Sequence, residues 1–209
     1  MFESNMTFAG TESETQQIAN GLRARDIALL HRLVSQYQHR LVRYFIYLLG
    51  RRDPVDDLVQ ETWLRVLERG HSYDGQSRFE PWLFTVARNL AMDSVRKRKL
   101  FSLDTHTLGG HGPDNADSDG TAHEAHAPVS TGLSPFEQAA RTEDAQKLAL
   151  CLQKLDSLYR EALVLRFQED LSLQEMADVM GTSVSTVSSR VYRGLAVLRA
   201  QMEGVGYAG

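Results

Sequence analysis

At 209 residues and 42% apolar content, the chain is long enough to bury the core of one medium domain or two small ones. Its 23 basic against 27 acidic side chains give a net charge of -4, which excludes the uniformly basic surface of a simple nucleic-acid binder and confines any DNA-binding charge to local patches. A single cysteine, Cys151, excludes an internal disulfide framework; with no apolar run near the ~20 residues that span a bilayer, and no basic-then-apolar leader, the expected compartment is the cytoplasm, without membrane insertion.

Residues 1–22 are polar and aperiodic, so a mobile tail is expected. From Asp26 to Leu49 the residues Ile27, Leu30, Val34, Tyr37, Leu41, Tyr44, Phe45 and Leu48 recur at three- and four-residue steps, the pattern of an amphipathic helix closed by Gly50. Asp53-Pro54 then offers an N-cap and a first-turn proline, and Val55, Leu58, Val59, Thr62, Val66 and Leu67 continue a stripe to Gly70. After a turn-rich stretch, Ser72 to Ser77, Pro81 opens a helix carrying Leu83, Val86, Ala87, Leu90, Ala91 and Val95, which ends in the basic run Arg96 to Lys99. Residues 101–134 change to Gly, Asp, Ser, Thr, His, Ala and Pro without periodicity, a flexible linker. Helical pattern resumes over 135–202 with Leu148, Leu152, Leu155, Leu158, Ala162, Leu163 and Leu165, leaving a short tail at 203–209. The expected fold is all-α: two small helical domains, 23–100 and 135–202, on either side of the linker.

The sharpest local signal lies between Leu171 and Leu198. Ser172 and Glu175 have the spacing of a capping box, with Leu171 and Met176 as its hydrophobic staple. A short helix through Ala177 to Met180 breaks at Gly181 and restarts after Ser183, with Val184, Val187, Val191, Leu195 and Leu198 on the inward stripe of the second helix. This is the pattern of a helix-turn-helix. Its second helix would present Ser185, Thr186, Ser188, Ser189 and Arg190 to base edges and Tyr192, Arg193 and Arg199 to phosphates. The bland alternative is a helical hairpin with a serine-rich solvated face; Arg190 and Arg193 favour DNA.

The segments Asp53-Pro-Val-Asp-Asp-Leu-Val-Gln-Glu-Thr-Trp-Leu-Arg-Val-Leu-Glu-Arg69 and Phe79-Glu-Pro-Trp-Leu-Phe-Thr-Val-Ala-Arg-Asn-Leu-Ala-Met-Asp-Ser-Val-Arg96 closely resemble region 2 of extracytoplasmic-function (ECF) sigma factors. The carboxyl-terminal segment resembles their region 4. The resemblance implies a region 2 helical bundle and a region 4 helix-turn-helix, in that order, on a non-enzymatic subunit that directs core RNA polymerase to promoters. It further implies that Asp57, Gln60 and Glu61 dock on the clamp helices of the largest polymerase subunit, that region 4 meets the flap, and that an anti-sigma factor masks these surfaces. A partly acidic helix face suits a basic coiled-coil partner, while Asp56 and Asp57 would also favour the positive end of their own helix.

The same resemblance assigns the segment after this helix to opening and reading the minus-10 element, whose unstacked bases must be held by aromatics and cations. Tyr73, Gln76, Arg78, Phe79, Arg88, Asn89, Arg96, Lys97 and Arg98 are the expected contacts, stacking contributing on the order of 1–3 kcal/mol per captured base. Trp82 and Phe84 flank Leu83 and cannot share a face; Phe84 and Trp63 are expected mainly to pack. The basic run Arg96 to Lys99 also suits the negative end of its helix. Region 4 departs from many family members at Ser188, where they carry Lys or Arg. In the family the linker threads through polymerase, and Asp114, Asp117, Asp119 and Glu124 make it acidic here. His106, His111, His123 and His126 lack the spacing of a metal site, and no cofactor is expected. A stand-alone helix-turn-helix regulator would leave the Asp57-Gln60-Glu61 face unexplained; a nuclease would lack a nucleophile or ligand constellation. Because two modest contacts gain from being held together on polymerase, the free chain is expected to bind DNA poorly.

Overall fold

The structure, a computed structural model, describes the backbone of residues 8–107 and 135–206 and the side chains of residues 14–98 and 145–204. Among the described residues every regular element is helical. The amino-terminal half holds α1 (Phe8–Arg23), α2 (Ile27–Leu49), α3 (Val55–Arg69), a 3-10 turn at Gly70–Ser72 and α4 (Phe79–Thr107). The carboxyl-terminal half holds α5 (Pro135–Lys154), α6 (Ser157–Phe167), α7 (Leu173–Met180) and α8 (Val184–Gly206).

The chain ends its helices where side-chain chemistry allows it. Asp26 caps α2, its carboxylate accepting from the Ala28 and Leu29 amides at 2.8 and 3.3 Å. Asp53 does not cap α3: Pro54 occupies the capping position, and the Asp53 carboxylate lies 3.6 Å from Arg51. Helix α4 begins two residues before Pro81, which suits a proline because first-turn amides need no helical acceptor. It also continues to Thr107, seven residues into the expected linker; residues 108–134 lie outside the described residues. The stripe expected to run unbroken from Leu148 to Leu165 is split at Asp156, which accepts from the Leu158 amide at 2.9 Å and starts α6, leaving Leu158 exposed.

The segment expected to be a mobile tail is largely helix. Ile18, Ala19 and Leu22 of α1 are buried, Thr15 donates to the Gly75 carbonyl at 2.7 Å, and Arg23 donates to the Tyr73 carbonyl at 3.5 Å. Five apolar residues in sixteen give little periodicity in the sequence, yet the three that are buried suffice when a preformed surface receives them. This helix also shifts the start of the α2 stripe. Leu29, which lies over Gly21 of α1, and Leu33 are buried, whereas Ile27 is 81% exposed.

Buried residues of both halves belong to one continuous core, in which Tyr44, Phe45 and Phe84 join Ala162, Val164, Leu165, Leu171 and Met176. Helix α6 packs on α2, and α7 packs on α4. The carboxyl-terminal half therefore covers one face of the amino-terminal bundle.

Candidate functional site

The helix-turn-helix is built from its caps upward. The Ser172 hydroxyl accepts from the Glu175 amide at 3.2 Å, while Glu175 Oε2 accepts from the Ser172 amide at 2.7 Å, a complete capping box. Leu171 and Met176 are fully buried beneath it. Gly181 takes the left-handed conformation that ends α7, and Ser183 caps α8 by accepting from the Thr186 amide at 3.2 Å. The inward stripe of α8 differs from the expected one. Val187 is buried, Val191 half-buried and Leu198 packs beside them, but Val184 and Leu195 are exposed. The missing anchor is Gly194, whose absent side chain lets α8 approach Tyr159 and Leu163 of α6.

Ser185, Ser188, Ser189, Tyr192 and Arg193 are exposed along the outer face of α8, with Thr186 and Arg190 half-buried. Tyr192 is 77% exposed. The hydroxyls of Ser185 and Thr186 lie 3.0 and 2.8 Å from that of Ser183, so the cap orients two of the expected base contacts.

On α3, Asp57 and Gln60 are exposed and Glu61 half-exposed, its carboxylate accepting from Arg65 at 2.9 Å; this raises the Arg65 pKa. Beside them runs an apolar groove of about 400 Å³ lined by Val34, Val59, Gln60, Trp63, Leu64 and Leu67, among others. Leu64 and Leu67 are 52% and 40% exposed, and the Trp63 indole N–H is buried with no acceptor. Sequence reasoning missed this groove. Its signal was Leu64, an apolar residue off the buried stripe of Leu58, Val59, Thr62 and Val66.

The expected minus-10 contacts separate into three groups. Tyr73 and Phe79 are buried, contrary to their expected role as stacking platforms. Their rings meet each other edge-on at 5.4 Å and pack against Tyr37 and Trp82, at 5.5 and 5.7 Å. The Tyr73 hydroxyl donates to the Ser77 carbonyl at 2.6 Å, and burial, with Glu80 next in effect, pushes its pKa up to about 12. An aromatic in a turn-rich loop serves a core as readily as a base, and here the core claims both. Trp82 remains half-exposed, while Phe84 is buried and Trp63 half-buried in packing, as expected.

Gln76, Asn89, Arg96, Lys97 and Arg98 are exposed. They spread along a loop and one helix over about 27 Å between Phe79 and Lys97 at a rise of 1.5 Å per residue. Arg78 and Arg88 form the third group, each held by the carboxyl-terminal half: Arg78 donates to the Asp170 carbonyl at 3.1 Å, and Arg88 Nε donates to Glu161 Oε1 at 2.7 Å. Arg40, Glu161 and Glu169, which complete this contact, carried no local sequence signal, because their partners lie 73 to 129 residues away.

Among the described residues no cluster of three or more metal-binding side chains occurs and no helix is long and apolar enough to cross a membrane. The side chains of His106, His111, His123 and His126 lie outside the described residues, as do those of the acidic linker positions Asp114, Asp117, Asp119 and Glu124.

Residues 33–101 match the Sigma-70 region 2 family and residues 145–198 match Sigma-70, region 4. The chain is 30% identical over 171 residues to the ECF RNA polymerase sigma factor SigX of Bacillus subtilis, covering 82% of each. It is 34% identical over 157 residues to the ECF sigma factor EcfG of Rhodopseudomonas palustris, covering 75% of this chain and 76% of the relative. Its fold matches that of sigma factor RpoE in complex with the anti-sigma factor NepR from Bartonella quintana, with a TM-score of 0.60 and 24% identity over 83% of this chain and 96% of that one. Two family regions in the right order, the second of them containing the helix-turn-helix, place this chain among the ECF RNA polymerase sigma factors, subunits that direct promoter-specific transcription initiation.

Proposed function

We propose a bipartite division of this work among named residues. The α3 face of Asp57, Gln60 and Glu61 docks on the polymerase clamp helices, and the adjoining groove at Trp63, Leu64 and Leu67 adds an apolar contact to a polar one. Gln76, Arg78, Arg88, Asn89, Arg96, Lys97 and Arg98 hold the opened minus-10 strand, with half-exposed Trp82 taking the stacking role that buried Tyr73 and Phe79 do not. Helix α8 enters the minus-35 major groove with Ser185, Thr186, Ser188, Ser189 and Arg190 toward bases and Tyr192 and Arg193 toward phosphates. The chain makes and breaks no bond, works in the cytoplasm where polymerase is, and is held in check by an anti-sigma factor that covers these faces.

The observation that carries this proposal is the α8 surface: one side is packed through Val187 and Gly194, and the other exposes Ser185, Ser188, Ser189, Tyr192 and Arg193, with Arg190 half-buried beside them. The test is in vitro transcription from a promoter library by core polymerase with and without the chain. The expected result is chain-dependent transcripts from templates that share two spaced elements. Replacing Arg190 and Arg193 by Ala should weaken minus-35 dependence, and Asp57→Lys should lower core binding while leaving the helical content unchanged. Absence of core binding by a folded chain that binds duplex alone would instead make it a stand-alone regulator.

A further inference from the structure

The outer face of α8 begins with hydroxyls, at Ser185, Thr186, Ser188 and Ser189, rather than with cations. An arginine or lysine head only donates, whereas a serine or threonine hydroxyl carries one hydrogen and two lone pairs and can turn either way. Left to rotate, such a group would accept from one base as readily as donate to another. Ser185 and Thr186 are not left to rotate. The Ser183 Oγ lies 3.0 Å from the Ser185 Oγ and 2.8 Å from the Thr186 Oγ1, and it already accepts from the Thr186 amide at 3.2 Å. One hydrogen and one lone pair then remain on Ser183 for two neighbouring hydroxyls.

That remainder divides in two ways. If Ser183 donates to Thr186 it must accept from Ser185, which then shows only lone pairs outward while Thr186 keeps a hydrogen to give. If Ser183 donates to Ser185, the roles exchange. Either way the pair has one outward hydrogen, so it donates to one base and never to both. We propose that Ser183 is a positioning residue for minus-35 recognition: by limiting Ser185 and Thr186 to a single outward hydrogen, it requires that when one of them faces a base acceptor, guanine O6 or thymine O4, the other faces a base amino group, adenine N6 or cytosine N4. The proposal rests on the assignment of Ser185 and Thr186 to base edges. Its consequence is that the two positions of the element are not chosen independently, although Ser183 itself touches neither.

The test is in vitro transcription by core polymerase with the full chain from templates randomised across the minus-35 element, the transcripts being sequenced so that base preferences are read jointly. Ser185→Ala and Thr186→Val each remove one hydroxyl and mark the position that it reads. In the unaltered chain, guanine or thymine at both marked positions should be depleted about fivefold against the product of the single-position frequencies, the size of one net hydrogen bond. Two substitutions at Ser183 keep a residue suited to capping but act in opposite directions. Ser183→Gly removes the oxygen and frees both hydrogens, so the depletion should vanish. Ser183→Asp supplies a carboxylate that only accepts, so both hydroxyls turn inward and both marked positions should shift toward adenine or cytosine. Circular dichroism confirms helicity in each case. Independent choice at the two marked positions by the unaltered chain, or depletion that persists in Ser183→Gly, overturns the constraint and leaves the base contacts standing. A uniform change in transcription with an unaltered base pattern in both Ser183 variants overturns it too, leaving Ser183 a cap alone. If neither Ser185→Ala nor Thr186→Val alters any minus-35 preference, the base assignment fails and the proposal falls with it.

Discussion

Glu169 shows how a single side chain can be held in place and still be poorly accommodated. Burial raises its pKa above the ordinary 4.5, and Arg40, through both a hydrogen bond and its charge, then Arg43, offset this only in part while Glu80 adds to it. With the folded value above the unfolded one, the folded chain binds more protons than the unfolded chain from about pH 4.5 up to that raised value. Stability contributed by this residue therefore falls as pH rises through that window, and at neutral pH the buried charge is a net cost. Glu169→Gln retains an acceptor for Arg40, which also keeps Glu80 at 3.7 Å. The expected outcome is a variant whose denaturation free energy gains on the unaltered chain as pH rises above 4.5, by about 1.4 kcal/mol for each pH unit of displacement. Urea melts of both proteins across pH 4 to 8 measure it, and a pH-independent difference would show that the charge is adequately compensated.

Among the elements, α1 depends most on a residue outside itself. Gly75 has φ +76, and a Cβ placed there would lie 2.9 Å from the Ala19 Cβ and 3.0 Å from the Thr15 carbonyl oxygen. Gly75→Ala therefore meets backbone strain and collides with α1, whereas Gly181→Ala, with φ +60 and open space around it, meets strain alone. Both are expected to lose on the order of 1–3 kcal/mol, but only Gly75→Ala should abolish amide protection in α1 by hydrogen exchange. The same dependence explains why α1 was illegible in the sequence: Ala19 and Leu22 pack against Gly75 and Gly70, 56 and 48 residues further along the chain. Local chemistry was far more legible. The Ser172-Glu175 box and Gly181 specify their backbone from neighbours three or four residues distant, although the same kind of reading placed the α3 cap at Asp53, where Pro54 stands. Tyr73 and Phe79 illustrate the intermediate case, since residue type permits either base stacking or core, and only Tyr37 and Trp82 decide between them.

At the scale of the molecule, the shared core means that the two halves are separate in sequence but coupled in energy. Tyr44 and Phe84 on one side and Leu165 and Met176 on the other belong to the same buried cluster, so closure stabilises both halves. The two tryptophans, Trp63 and Trp82, lie in the amino-terminal half, which makes their fluorescence a reporter of that half alone. Met176→Ala removes a fully buried side chain from α7 and should cost about 2–5 kcal/mol within the carboxyl-terminal half. If the halves unfold together, the tryptophan midpoint in urea should fall in step with the midpoint by far-ultraviolet circular dichroism, which reports both halves. If they are independent, the dichroism trace should split while the tryptophan transition stays where it was. Coupling of this kind also bears on promoter search. Any partner that separates the halves must supply the energy that their common core provides, so a chain whose halves are packed together favours promoter contact on polymerase over contact in free solution.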